Sequence, residues 1–199
     1  SPSAPESVTF DAAARKTGDD FQTWRLGLRT VGESTNRRNL IAMLFPPNIV
    51  AANSLHMQKN SSQMTISKKI YILGILNSYV LDFVLKKLIS RNINLTQLKQ
   101  LPIPSADEFP YSDEITKLSK SLLKKNRKPY DELDKLLQDE GMKSPTEFDD
   151  LPVESLTAEL NARVVLGFKL TREEVINLMK TFESANHKET VQAEAQRII

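Results

Sequence analysis

The sequence contains no cysteine and only two histidines among its 199 residues. Disulfide scaffolds, cysteine zinc sites and thiolate nucleophiles are therefore excluded. His56 and His187 lie far apart with no second imidazole at ligand spacing, so packed or solvated histidines are expected rather than a metal site. Glycine is scarce, at six residues, and no glycine-rich loop follows a strand pattern to cradle a nucleotide. Aromatic residues make up 7% and sit mostly in apolar runs, which disfavours a base-stacking platform for single-stranded nucleic acid. Charge interrupts every apolar run before the roughly 18 to 20 residues of a membrane span, and no signal-peptide pattern opens the chain. The expectation is a soluble, cytoplasmic protein with no membrane partner.

What is present is ordinary in amount and uneven in placement. At 40% apolar and 26% charged, the chain can bury a core in one or two domains. Its net charge of +2 hides a strong division: residues 15 to 99 carry 13 Lys/Arg against four Asp/Glu, giving +9, while residues 100 to 199 sum to −5. A basic half joined to a mildly acidic half suits a nucleic-acid binder, because phosphates need cations on one face only. A solvated, salt-bridged surface is the alternative reading.

The patterning divides the same way. Residues 1–20 read as a flexible lead-in, small and polar without periodicity. Phe21 to Val31 alternates as a half-buried strand, Gly32 to Asn36 makes a turn, Asn39 to Phe45 is a short strand stopped by Pro46-Pro47, and Ser54 to Met57 is another. Ser67 can cap one long helix from Lys68 through Leu88, apolar almost all round, and Asn94 with Gln97 forms a capping box for Leu95 to Leu101. Six of the ten prolines then fall between residues 102 and 152. Helices are expected from Ser112, from Tyr130 to Gln138 ending near Gly141, from Pro152 to a stop at Gly167, and from a Thr171/Glu174 capping box, with a helix-compatible tail. The fold class is therefore α+β: a small mixed domain over residues 21–105, meeting a helical region over residues 106–199 near residues 105 to 112.

Catalytic patterns are missing. An adenine-amine methyltransferase needs an Asn/Asp-Pro-Pro-aromatic loop, whereas Phe45-Pro46-Pro47-Asn48 reverses the polar and aromatic partners. Neither Glu114-Ile115-Thr116-Lys117 nor Glu132-Leu133-Asp134-Lys135 has the carboxylate spacing of a metal-dependent nuclease. Chemistry, if any, belongs to another part of a longer protein.

An ordered set of segments nevertheless carries a resemblance. Trp24-Arg25-Leu26-Gly27-Leu28-Arg29, Asn36-Arg37-Arg38-Asn39-Leu40-Ile41-Ala42, Pro46-Pro47, Asn53-Ser54-Leu55, Ile72 to Ser78, Asn92-Ile93-Asn94-Leu95 and Leu101-Pro102-Ile103-Pro104 together resemble the TaqI-like C-terminal specificity domain. That domain occurs in type IIG and related type II restriction-modification proteins, which are adenine-specific DNA methyltransferases, some with endonuclease activity. Residues 160 to 182 also look like the helical tail such proteins carry. The resemblance implies a non-catalytic target-recognition fragment that grips double-stranded DNA beside a separate methyltransferase domain. That separate domain would bind S-adenosylmethionine, and this chain would bind no cofactor.

Candidate DNA contacts follow from chemistry: Lys and Arg neutralise phosphates, and Arg, Asn, Gln or Ser reach base edges. Arg25, Arg29, Lys86 and Lys87 are candidate cationic contacts within the basic half. Arg37, Arg38 and Asn39 are the best cluster for base contact, against a hairpin turn with solvated arginines. Lys68 and Lys69 oppose the macrodipole of a helix N-terminus, which a nearby anion would explain, and surface lysines are the plainer reading. Arg91 and Asn92 leave the long helix in a loop, reaching DNA or simply ending the helix. Asn53-Ser54 and Asn77-Ser78 fit buried backbone partners better than DNA, and Asn94 fits a cap. A helical protein-interaction module without direct DNA contact is the rival function.

Overall fold

In the computed structural model, which describes residues 10–11, 21–33, 36–51, 54–89, 91–125, 130–142, 145–183 and 188–199, the alternating stretch after Trp24 becomes strand β2 (Arg25–Arg29). Strands β3 (Ala42–Phe45) and β4 (Leu55–Gln58) flank it, and β1 (Phe10–Asp11) pairs with β4, giving an antiparallel sheet in the order β1-β4-β2-β3. Strand β1 corrects the lead-in expected for residues 1–20, since Phe10 and Asp11 pair with Gln58 and Met57; the rest of that segment lies outside the described residues. The register sets Leu26 opposite Leu44 and Leu28 opposite Ala42, and these four side chains are buried together. Alternation puts Gly27 on the other face, between Met43 and Met57. A Cβ there would come within 2.5 Å of the Phe45 ring, so only glycine lets that ring lie across the strand.

Against the buried face lies α1 (Ile66–Leu76), apolar on nearly every side because the sheet covers one flank and α4 (Ser112–Lys125) the other. The single long helix expected from Lys68 to Leu88 is in fact two. Thr65, not Ser67, caps the first, its hydroxyl accepting from the Lys68 N–H, and Asn77-Ser78 separates it from α2 (Tyr79–Leu88). Ser78 then caps α2 by accepting from the Leu81 N–H. The capping box of Asn94 and Gln97 opens α3 (Leu95–Leu98) with both reciprocal bonds formed.

The later helices follow the punctuation of the sequence. A 3-10 turn at Tyr130–Glu132 leads into α5 (Leu133–Asp139), after which Gly141 takes a φ of +86°. Helix α6 (Val153–Gly167) follows Pro152, α7 (Arg172–Lys180) starts from the Thr171/Glu174 capping box, and α8 (Lys188–Ile198) closes the chain. Gly167 is the last residue of α6, as the sequence predicts, but its backbone is not left-handed. It lies inside the last turn of α6, where a Cβ would meet the Phe109 ring at 2.3 Å, and Lys169, at φ +56°, makes the left-handed exit.

A small mixed α/β part followed by helices thus describes the architecture. One continuous apolar cluster joins the two, from Leu26 and Leu44 through Ile72 and Ile75 to Leu118, Leu156 and Val164. At Gly74, α1 and α4 approach so closely that a Cβ would collide with the Ser119 hydroxyl. Among the described residues, no helix is long and apolar enough to cross a membrane.

Candidate nucleic-acid interface

The connection into β3 carries Arg37, Arg38 and Asn39, and α2 supplies what holds two of them. Asp82, in the first turn of α2, is fully buried. Its carboxylate accepts from Arg38 Nε at 2.5 Å, from the Asn39 N–H at 3.1 and 3.2 Å, and from the Leu40 N–H at 3.1 Å. Arg38 also donates to the Asn77 carbonyl at 2.7 Å and lies 4.4 Å above the Tyr79 ring. The Asn39 side chain turns inward, its Oδ1 accepting from the Glu33 N–H at 3.0 Å. Arg38 and Asn39 therefore fasten this connection to α2 rather than extend from it.

Arg37 points elsewhere. One of its guanidinium nitrogens donates to both carboxylate oxygens of Glu194, on α8, at 2.6 Å, and the Tyr79 hydroxyl donates to the same carboxylate at 2.5 Å. Burial first, then the bond to Glu194, push the Tyr79 phenol above its ordinary range and keep it a proton donor. On β2, Arg25 is buried and donates to the Ile49 carbonyl at 2.6 Å, while Arg29 donates to the Arg38 carbonyl at 2.7 Å.

Asn77 explains the break between α1 and α2. Its amide accepts from the Ala42 N–H at 2.9 Å and donates to the Ala42 carbonyl at 3.0 Å, standing in for a neighbouring strand along the outer edge of β3. The Tyr130 hydroxyl treats the Leu44 carbonyl likewise at 3.0 Å. The free edge is thereby closed to further pairing. Asn161 on α6 accepts from the Tyr79 N–H at 2.8 Å, tying the start of α2 to the later helices. Of the other pair, Asn53 lies outside the described residues and Ser54 is exposed.

The lysines separate into tethers and outward charges. An anion does sit at the α1 N-terminus, and the chain supplies it: Glu140 accepts from the N–H groups of Ile66 and Ser67 at 2.7 and 2.8 Å. Lys68 pairs with Asp107 at 3.4 Å, and Lys69 is buried. Lys86 donates to the Thr181 carbonyl at 3.2 Å and lies 4.3 Å above the Phe182 ring. Burial lowers its pKa, with nearby Asp82 acting the other way. Lys87, Arg91, Asn92 and Lys99 are exposed around the end of α2 and α3, and Lys59, which sequence reasoning did not single out, is exposed after β4.

Sequence reasoning missed the counter-groups Tyr79, Asp82, Glu140, Asn161 and Glu194. Asp82 had a readable signal, as the lone acid in an apolar helix within a basic stretch; Glu194 had none, being 157 positions from Arg37. His56 is buried with Nε2 at 2.9 Å from the Ile93 carbonyl, and His187 lies outside the described residues. Among the described residues, no three His, Asp or Glu gather as a metal site would require. Comparison with protein-family models, curated proteins and solved structures finds no match to this chain.

Proposed function

We propose that this chain is a module for recognising double-stranded DNA. More particularly, it is the target-recognition part of a restriction-modification protein with adenine-specific methyltransferase activity. The observation that carries this reading is the ordered set of segments between Trp24 and Pro104. Its coherence adds support: Arg29 meets the Arg38 carbonyl, Arg38 meets the Asn77 carbonyl, Asn77 meets Ala42, and Arg29 pairs with Leu55 across the sheet, so four of these segments form one hydrogen-bonded frame.

In this account the frame positions and the rim binds. Arg25, Arg29, Arg38, Asn39, Lys69 and Lys86 hold the architecture, while Lys59, Lys87, Arg91 and Lys99 face phosphates and Asn92 is placed for a base edge. The duplex is held while a methyltransferase domain, the chain's partner in the cytoplasm, flips the adenine. S-adenosylmethionine belongs to that domain. Here Pro46-Pro47 leads to Asn48 at φ +63°, whose N–H is bonded to the Phe21 carbonyl, and this geometry does not fit an adenine-amine clamp.

Selection of bound duplexes from a randomised pool, followed by sequencing, tests the proposal. A shared short motif should be enriched, while the purified chain alone neither transfers labelled methyl groups nor cuts. A bound fraction as random as the input would remove the specificity reading. Exposed Val153, Leu166 and Ile176 on the later helices favour the rival interaction module, which predicts no duplex binding at all.

A further inference from the structure

We infer that Arg37 and Tyr79 form an oxyanion site which the chain fills with its own Glu194, and that a DNA phosphate is the ligand able to take Glu194's place. This rests on the DNA-binding reading above. The pairing of Arg37 and Tyr79 with one carboxylate is the geometry an anionic two-oxygen group requires: a guanidinium N–H reaching both oxygens, and a hydroxyl donating to one of them. A phosphodiester presents the same two anionic oxygens. Exchange leaves Arg37 paired and returns Glu194 to water.

The receiving side stands without α8. The flanking Arg38 and Asn39 are fixed by Asp82 and Asn77, which belong to α2 and to the junction before it. Tyr79 is fixed at its N–H by Asn161 and at its ring by Arg38 and by Phe182, whose ring centroid lies 4.8 Å away. The side chains of Arg37 and Glu194 are 31% and 27% exposed, so the cluster lies at the surface, where a polyanion can reach it.

The occupying side is carried by a separate helix. Helix α8 packs chiefly on α6 and α7 through Val191, Ala195 and Ile198. A cavity of about 190 Å³ remains beneath it, lined by Tyr79, Val153, Thr157, Asn161 and Glu194. A helix of 11 residues is marginal by itself, below the roughly 12 to 15 at which isolated helices begin to persist, so its place depends on that packing. Exchange therefore needs only the Glu194 side chain to leave Arg37 and Tyr79, with Val191 and Ile198 kept in the core.

The test uses the whole chain and a mixed-sequence duplex. Glu194→Ala should bind about three- to tenfold more tightly than wild type, and its plot of log affinity against log salt should steepen by about 0.9, one more phosphate neutralised. Arg37→Ala should abolish that gain in the Glu194→Ala background. Glu194→Gln, which keeps an acceptor for Tyr79 but drops the charge, guards against loss of folding and should shift binding the same way. In the wild type, saturating duplex should lower the hydrogen-exchange protection of residues 188–198. If the duplex binds but both Glu194 variants, still folded, match wild-type affinity and slope, the displaceable site is wrong and the DNA reading stands. If neither wild type nor any variant binds duplex at low salt, both fail together.

Discussion

Asp82 concentrates the chemistry of the frame in one side chain. A fully buried carboxylate is tolerable only when its charge is paired and its oxygens are bonded, and here Arg38 and two backbone N–H groups do both. Removing either partner leaves the other stranded. Asp82→Ala or Arg38→Ala should lower unfolding stability by about 3 to 5 kcal/mol, seen as a fall in denaturant midpoint at unchanged slope. The same reasoning changes what Arg38 and Asn39 are expected to do for DNA. Their substitution should unfold the recognition frame rather than alter base preference selectively, and an Arg38→Ala chain of wild-type stability would contradict the arrangement.

At the scale of elements, a polar knot ties α5 and the residues before α6 to α4. Lys124 reaches Asp149 at 2.8 Å and Asp134 at 3.2 Å, Lys120 reaches Asp134 at 3.0 Å, and the Ser121 hydroxyl donates to Asp149 at 2.5 Å. Burial opposes the charge on Asp149, but the Lys124 ammonium and the Ser121 and Thr146 hydroxyls outweigh it and hold the carboxyl well below its ordinary 3.8. Asp134 is lowered in the same way, with burial opposing and Lys120 and Lys124 prevailing. Because the unfolded chain then takes up protons first, this contribution is complete above the ordinary carboxylate value and drains away as pH falls below about 4. Thermal unfolding of Asp149→Asn should differ most from wild type near neutral pH and converge with it in acid; an equal gap at pH 7 and pH 3 would count against the knot. Elements of this kind were unevenly legible. The capping boxes at Asn94 and Thr171 and the helix after Pro152 could be read because their signals are local. The break at Asn77-Ser78 could not, since its reason is Ala42, 35 positions away; the stop at Gly167 could, but not the Phe109 ring that leaves no room for a side chain there.

Across the whole molecule, the +9 of residues 15 to 99 is divided by the fold in a way that charge counting cannot foresee. Guanidinium groups are largely drawn into the frame, whereas Lys59, Lys87, Arg91 and Lys99 are turned to solvent. The sequence showed where the cations are; only the packing shows which of them are exposed. Phosphate contact and base reading then become separable, because neutralising phosphates weakens binding to every duplex while base contact sets the difference between duplexes. The most direct measurement is titration of a selected duplex and its scrambled counterpart from about 50 to 200 mM salt, with wild type and with Lys87→Ala/Arg91→Ala. The account predicts steep salt dependence for both duplexes, a preference for the selected one, and a flatter slope on both for the variant. Affinity unchanged by salt, or equal for the two duplexes, would contradict it.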